Sequence, residues 1–163
     1  MIIISFDALA LPADDLGARQ PRNETRRLWN ALFPYYHGRI IVLADGIKKD
    51  GHQGEQILLA WLKREGFKAS AVDFAETYGA ETRYDRVVSL NSVYGRIHWY
   101  IDVDPEAVAK VAHCGIPTLL VTIPDIVRPE WADGRQIKSW DTLVEEINNQ
   151  ELAKKERVWG DVN

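Results

Sequence analysis

The stretch Arg96-Ile-His-Trp-Tyr-Ile-Asp-Val-Asp-Pro-Glu-Ala-Val-Ala-Lys-Val-Ala-His-Cys-Gly-Ile-Pro-Thr-Leu-Leu-Val-Thr122 reads as a strand, a helix and a second strand in succession. Residues 96–101 are close to continuously apolar, the pattern of a strand with both sheet faces covered. Asp104-Pro105-Glu106 supplies a cap, a proline at the first helical position and an acid behind it, so a helix starts there and runs to Cys114. Gly115 stops it, and residues 117–122 are apolar again. Two strands joined by a covering helix form a parallel, right-handed unit.

The same grammar extends toward the amino terminus. Apolar runs at 2–6, 39–43 and 68–74 predict three more strands. Between them lie segments with helical period. One starts at Asn23, placed to cap, with Glu24 in its first turn and Leu28, Trp29, Leu32, Phe33 and Tyr36 at three- and four-residue spacing. The segment 52–65 carries Ile57, Leu58, Trp61 and Leu62 on one face and is closed by Gly66. The segment 83–94 carries Val87, Leu90, Val93 and Tyr94 and ends at Gly95. A last helix is expected near Trp140-Asp141, running through Leu143, Val144 and Ile147. This alternation predicts an α/β fold: a three-layer, Rossmann-like domain around a five-stranded parallel sheet. The expected domain covers 1–149, followed by a charged tail at 150–163 with one aromatic, Trp159.

Composition agrees. The 163 residues are 46% hydrophobic and 27% charged, which excludes wholesale disorder. A net charge of −4 argues against a general nucleic-acid or anionic-membrane binder. The single cysteine, Cys114, excludes an internal disulfide and a zinc knuckle. No apolar run approaches the ~20 residues of a membrane span, and the apolar start lacks the basic flank of a signal peptide. A soluble, cytoplasmic protein is expected.

In an open parallel sheet, ligands bind beyond the carboxyl ends of the strands. Acids gather there: Asp7 after the first run, Asp45 after the second, Asp73 in the third, Asp102 and Asp104 after the fourth, and Asp125 after the fifth. Aspartate is common at strand ends because it makes turns and caps helices, and Asp104 is such a cap. Clustered carboxylates also repel one another unless a cation neutralises them, and hard oxygen ligands of this kind suit Mg²⁺.

The amino-terminal strand ending in Phe6-Asp7 resembles motif I of the haloacid dehalogenase (HAD) superfamily. Ile101-Asp-Val-Asp-Pro-Glu106, with Cys114-Gly-Ile-Pro-Thr-Leu-Leu-Val121 downstream, resembles its motif IV region. Arg39-Ile-Ile-Val-Leu-Ala-Asp45, with the helix ending Trp61-Leu-Lys-Arg-Glu-Gly-Phe67, is similar to the motif II strand and helix. Arg128-Pro-Glu-Trp131 and Lys138-Ser-Trp-Asp-Thr-Leu143 also look like small HAD-like proteins of actinobacterial phages. The resemblance covers roughly residues 1–149. It implies the sheet order 5-4-1-2-3, with no sizeable cap because the loop 8–22 is short.

The resemblance also implies roles. Asp7 would be the nucleophile of an aspartyl-phosphate mechanism. Asp7, the backbone carbonyl of Leu9 and Asp102 would hold Mg²⁺. Ala44, Asp45 and Arg86 would occupy the phosphate-binding positions. Several of these depart from the family pattern. Leu9 stands where the general acid belongs and moves no proton. Ala44 or Asp45 stands where a hydroxyl belongs, and Arg86 is the nearest match to a lysine that it does not equal. Val103 replaces an acid. Acid–base assistance is worth about 10²–10⁴ in rate, and a charge-stabilising donor about 10²–10³. A degenerate HAD-like module is therefore expected, retaining the acidic Mg²⁺ site but lacking efficient turnover. It would take a phosphorylated small molecule or a protein as partner, with no nucleic acid and no membrane. The alternative is an active Mg²⁺-dependent phosphohydrolase acting through Asp7.

Other motifs are weaker. Gly46, Gly51 and Gly54 form neither a P-loop nor a dinucleotide fingerprint. Lys48-Lys-Asp-Gly-His52 reads as a solvated loop tip. His37 and His113 sit near helix ends, where they favour the dipole. His98 and Cys114 read as packed residues, and no Ser-His-Asp set is present. The tryptophans supply core area, apart from Trp159 and from Trp131, which lies in a long loop at 123–139.

Overall fold

The computed structural model describes residues 1–47, 52–122 and 147–149. Met1–Val121 form one compact unit. Thr122–Asn163 form a second, of which 147–149 are described as helical, with Ile147 buried. The expected loop 123–139, the start of the last helix, the tail with Trp159, the residue Trp131 and the tip at 48–51 lie outside the described residues, as does the side chain of His52.

The first unit alternates as its sequence pattern requires. Its strands are β1 (Ile2–Ser5), β2 (Ile40–Asp45), β3 (Ala71–Ala75), β4 (Trp99–Asp102) and β5 (Thr118–Leu120). Its helices are α1 (Phe6–Leu9), α2 (Asn23–Tyr36), α3 (His52–Glu65), α4 (Ala80–Tyr94) and α5 (Pro105–His113), with a 3-10 turn at Leu16–Ala18. All strand pairs are parallel, in the order β3-β2-β1-β4-β5. The fold is α/β and Rossmann-like. The order is the one expected, read from the other edge. In register, Ile2 stands beside Ile40 on one side and Trp99 on the other.

Strand alternation divides the core in two. Ile2, Ile4, Ile40 and Val42 pack with Trp29 of α2 and with Leu58, Trp61 and Leu62 of α3. Ile3, Ile41, Leu43 and Tyr100 pack with Val87 and Leu90 of α4 and Val108 and Val111 of α5. Both faces of the sheet are thus covered, which is why the strands read as unbroken apolar runs.

Several local expectations are corrected. Asn23 is the first residue of α2 and not its cap; Arg22 holds that position and makes no side-chain cap bond. Asp7 does not end a strand, because the backbone turns at Ser5 into the one-turn α1, whose Ala8 N–H the Ser5 hydroxyl accepts at 3.2 Å. The fourth strand begins at Trp99, so His98 lies outside it and is exposed, 3.2 Å from the Tyr36 hydroxyl. Trp99 is 40% exposed and is not core. Cys114 caps α5 from an exposed position and lies 3.3 Å from the Tyr84 hydroxyl. By contrast, Asp104 caps α5 as read, accepting the Glu106 N–H at 2.9 Å, with Pro105 in the first turn.

Candidate functional site

Because β1 and β4 are neighbours, the turn after β1 and the end of β4 meet at the carboxyl edge of the sheet. Asp7 lies on α1, just past Ser5, and Asp102 is the last residue of β4. Asp45 ends β2 on the other side of β1. The three carboxylates converge on one side chain, Arg83.

Arg83 sits in the first turns of α4, on the stripe it shares with Val87 and Leu90, and is 1% exposed. All three nitrogens of its fork donate. Nε donates to Asp45 Oδ2 at 2.9 Å, Nη1 to Asp102 Oδ1 at 3.0 Å and Oδ2 at 3.2 Å, and Nη2 to Asp7 Oδ2 at 2.5 Å. Asp104 Oδ2 stands farther off, 3.9 Å from Nη1. Burial pulls the guanidinium down, but the charges of Asp102, Asp45 and Asp7 outweigh it and hold Arg83 above its ordinary value.

Each aspartate has further partners. Asp45 Oδ2 also accepts the Gly79 N–H at 2.9 Å, which ties β2 to the start of α4. Asp102 is completely buried. Its Oδ1 accepts the Ser5 hydroxyl at 2.6 Å, the Val103 N–H at 2.6 Å and the Asp104 N–H at 3.2 Å, and its Oδ2 accepts the Tyr100 hydroxyl. Burial pushes the Asp102 carboxyl up, while the Arg83 charge and these donors pull the other way. So many donors suit a carboxylate, which is acceptor-only.

Asp7 is the member nearest solvent. Its Oδ1 accepts Arg19 Nη1 at 2.8 Å, and its Oδ2 accepts the Tyr78 hydroxyl at 2.8 Å besides Arg83. Its backbone carbonyl accepts Arg22 Nε at 2.8 Å. Burial would raise the Asp7 carboxyl, but the Arg83 charge and the Tyr78 and Arg19 bonds overcome it, so it lies below the ordinary value. Tyr78 lies over the site, 69% exposed, with its ring centroid 4.9 Å from the Arg83 Cζ. Burial and the Asp7 charge push its hydroxyl up to about 12.

Of the residues assigned from the sequence, Asp7, Asp45 and Asp102 are brought together. Ala44 is buried in the core and presents no polar side chain. Leu9 is also buried, and its carbonyl accepts the Arg22 N–H at 2.8 Å. Arg86 is not part of the cluster. It lies nearly one turn farther along α4 and is drawn to Asp73 on β3, with Nε 2.7 Å from Oδ2. The sequence reading missed Arg83, Tyr78, Arg19, Arg22 and Ser5. One signal for Arg83 was present: it falls on the apolar stripe four residues before Val87 and seven before Leu90, where only a paired charge can be buried.

The oxygens assigned to Mg²⁺ do not fit a divalent ion as they stand. Both oxygens of Asp7 and both of Asp102 accept donors, and the point between them is filled by the guanidinium. Among the described residues, no group of three or more His, Cys, Asp or Glu is arranged to hold a metal. No helix among them is long and apolar enough to cross a membrane. No family model and no curated protein matches the chain.

Proposed function

We propose that this chain is a HAD-like domain that works by binding, to a phosphorylated small molecule or to a protein, without efficient phosphoryl turnover. The sheet order and the meeting of Asp7 with Asp102 support the lineage. One observation carries the loss of turnover: every oxygen of the Asp7 carboxylate is already held by a cationic or hydroxyl donor. A nucleophile must present a free lone pair to phosphorus at roughly 3–3.5 Å. Three of the roughly four lone-pair sites of Asp7 are taken by Arg19, Arg83 and Tyr78, and the two guanidinium charges draw down the nucleophilicity of the one left on Oδ1. Leu9, where the family carries its general acid, adds a further loss of about 10²–10⁴.

The active alternative has one feature in its favour. Asp7 is ionised, since its carboxyl lies below the ordinary value, and its side chain keeps 17% of its surface exposed at the mouth. An assay of small phosphate esters and nucleotides with Mg²⁺, run on the intact chain and on Asp7→Asn, separates the two. Turnover well below about 1 s⁻¹, the low end of ordinary enzymes, is expected in both proteins. Faster turnover that disappears in Asp7→Asn would establish the phosphohydrolase and end the binding-only reading.

A further inference from the structure

We infer that Arg83 is the resident cation of this site. Its guanidinium stands in the place that clustered carboxylates would otherwise give to a divalent metal, and the site is therefore metal-independent. The inference builds on the binding-only reading, but rests on separate geometry.

Three carboxylates around one point cannot stay ionised without a counter-charge, since two unit charges 4 Å apart repel by several kcal/mol at protein-like dielectric. The fork of Arg83 meets that demand in a way a point charge cannot. Each of its three nitrogens faces a different aspartate: Nε Asp45, Nη1 Asp102, and Nη2 Asp7. Asp45 and Asp102 end β2 and β4, and Asp7 lies on α1 just past the end of β1 between them. A lysine would bring the charge but not the planar fork.

A metal would have to enter against this arrangement. The guanidinium is 1% exposed and is covered by the Tyr78 ring. Its carboxylate partners are also fixed from behind, Asp102 by Ser5, Tyr100 and two backbone N–H groups, and Asp45 by Gly79. Arg83, Arg19 on the Asp7 carboxylate and Arg22 on the Asp7 carbonyl already bring three positive charges to the three carboxylates, and a divalent ion would add two in excess. Mg²⁺ also surrenders its waters reluctantly. The cluster is balanced from within, and the same acids become cation-seeking only when Arg83 is removed.

Thermal unfolding of the full chain tests this. The wild type is measured with EDTA, MgCl₂, MnCl₂ and KCl at matched ionic strength. Arg83→Ala is measured in the same salts and with a few millimolar guanidinium, well below denaturing levels. Ligands that bind the native state raise the melting temperature. The wild type is expected to melt within about 1 °C in all of these salts. Arg83→Ala is expected to melt lower and to be raised by several degrees by guanidinium or a divalent ion, but not by K⁺. A clear Mg²⁺-dependent rise in the wild type that Asp7→Asn abolishes would overturn the inference. So would an Arg83→Ala protein that folds as well as wild type or ignores every added cation. Should Arg83→Ala not fold, the wild-type series still decides, with Arg83→Lys expected to melt below wild type and to be equally indifferent to metal. Metal binding without turnover would remove this inference alone, whereas Asp7-dependent turnover would remove the reading it builds on.

Discussion

Asp7 and Asp102 meet through a third residue: Arg83 Nη2 donates to Asp7 Oδ2 at 2.5 Å while Nη1 donates to Asp102 Oδ1 at 3.0 Å. Asp102 ends β4 and Asp7 lies on α1 just past the adjacent β1, while the cation between them belongs to α4, which follows β3 in the chain. The pairing binds the central part of the sheet to α4 by charge as well as by the apolar contacts of Val87 and Leu90.

Removing the cation should cost far more than exchanging it. Taking one partner from a buried ion pair leaves uncompensated charge and destabilises by about 3–5 kcal/mol. Arg83→Ala is therefore expected to lose about that much in urea unfolding, and Arg83→Lys distinctly less, because it keeps the charge and loses only the fork.

The acid limb of stability should carry the mark of Asp7. Its folded carboxyl lies below the ordinary value of 3.8, so it contributes stability that is present above that value and is lost as the pH falls through its folded value. Asp102 is pushed the other way by burial and opposes this trend. Comparing urea midpoints of wild type and Asp7→Asn isolates the Asp7 share. The variant should be the less stable above the ordinary carboxyl range, and the gap should close toward acid.

At the alkaline end the sign reverses. Tyr78 in the folded protein is pushed up from 10.0 to about 12. The unfolded chain therefore releases that proton first, and stability is lost as the pH rises from the ordinary value through the folded one. In Tyr78→Phe the alkaline decline should be shallower than in wild type. Tyr100, also raised, remains to give the residual slope.

Gly46 supports Tyr78 from below. It follows β2 with φ at +73°, and an added Cβ would lie 3.2 Å from the Tyr78 Cβ and Cδ2. Gly46→Ala combines left-handed backbone strain of about 1–2 kcal/mol with a push on the ring. Urea unfolding should show that loss, and ultraviolet titration should show the Tyr78 hydroxyl moving back toward 10.0.

Asp104 offers a control outside the cluster's main contacts. It caps α5 through Glu106 and Ala107. Asp104→Asn should be nearly neutral in stability, whereas Asp104→Ala should lose about 1 kcal/mol.

The sequence by itself determined what local chemistry dictates. Apolar runs covered on both faces fixed five strands. Asp104-Pro105 fixed the start of α5, and strand-end acids marked one edge of the sheet as the place for charge. The strand order was legible only through a resemblance, since pattern alone names the strands without ordering them. Which cation answers the acids was decided by tertiary structure. Arg83 and Arg86 lie three residues apart on one helix, nearly a full turn, and their charges are identical. Only the docking of α4 on its Val87 and Leu90 stripe sends Arg83 down among Asp7, Asp45 and Asp102 and leaves Arg86 to Asp73. Helix and strand propensities act over a few residues, whereas the balance of a buried charge depends on groups that approach only after the sheet has closed.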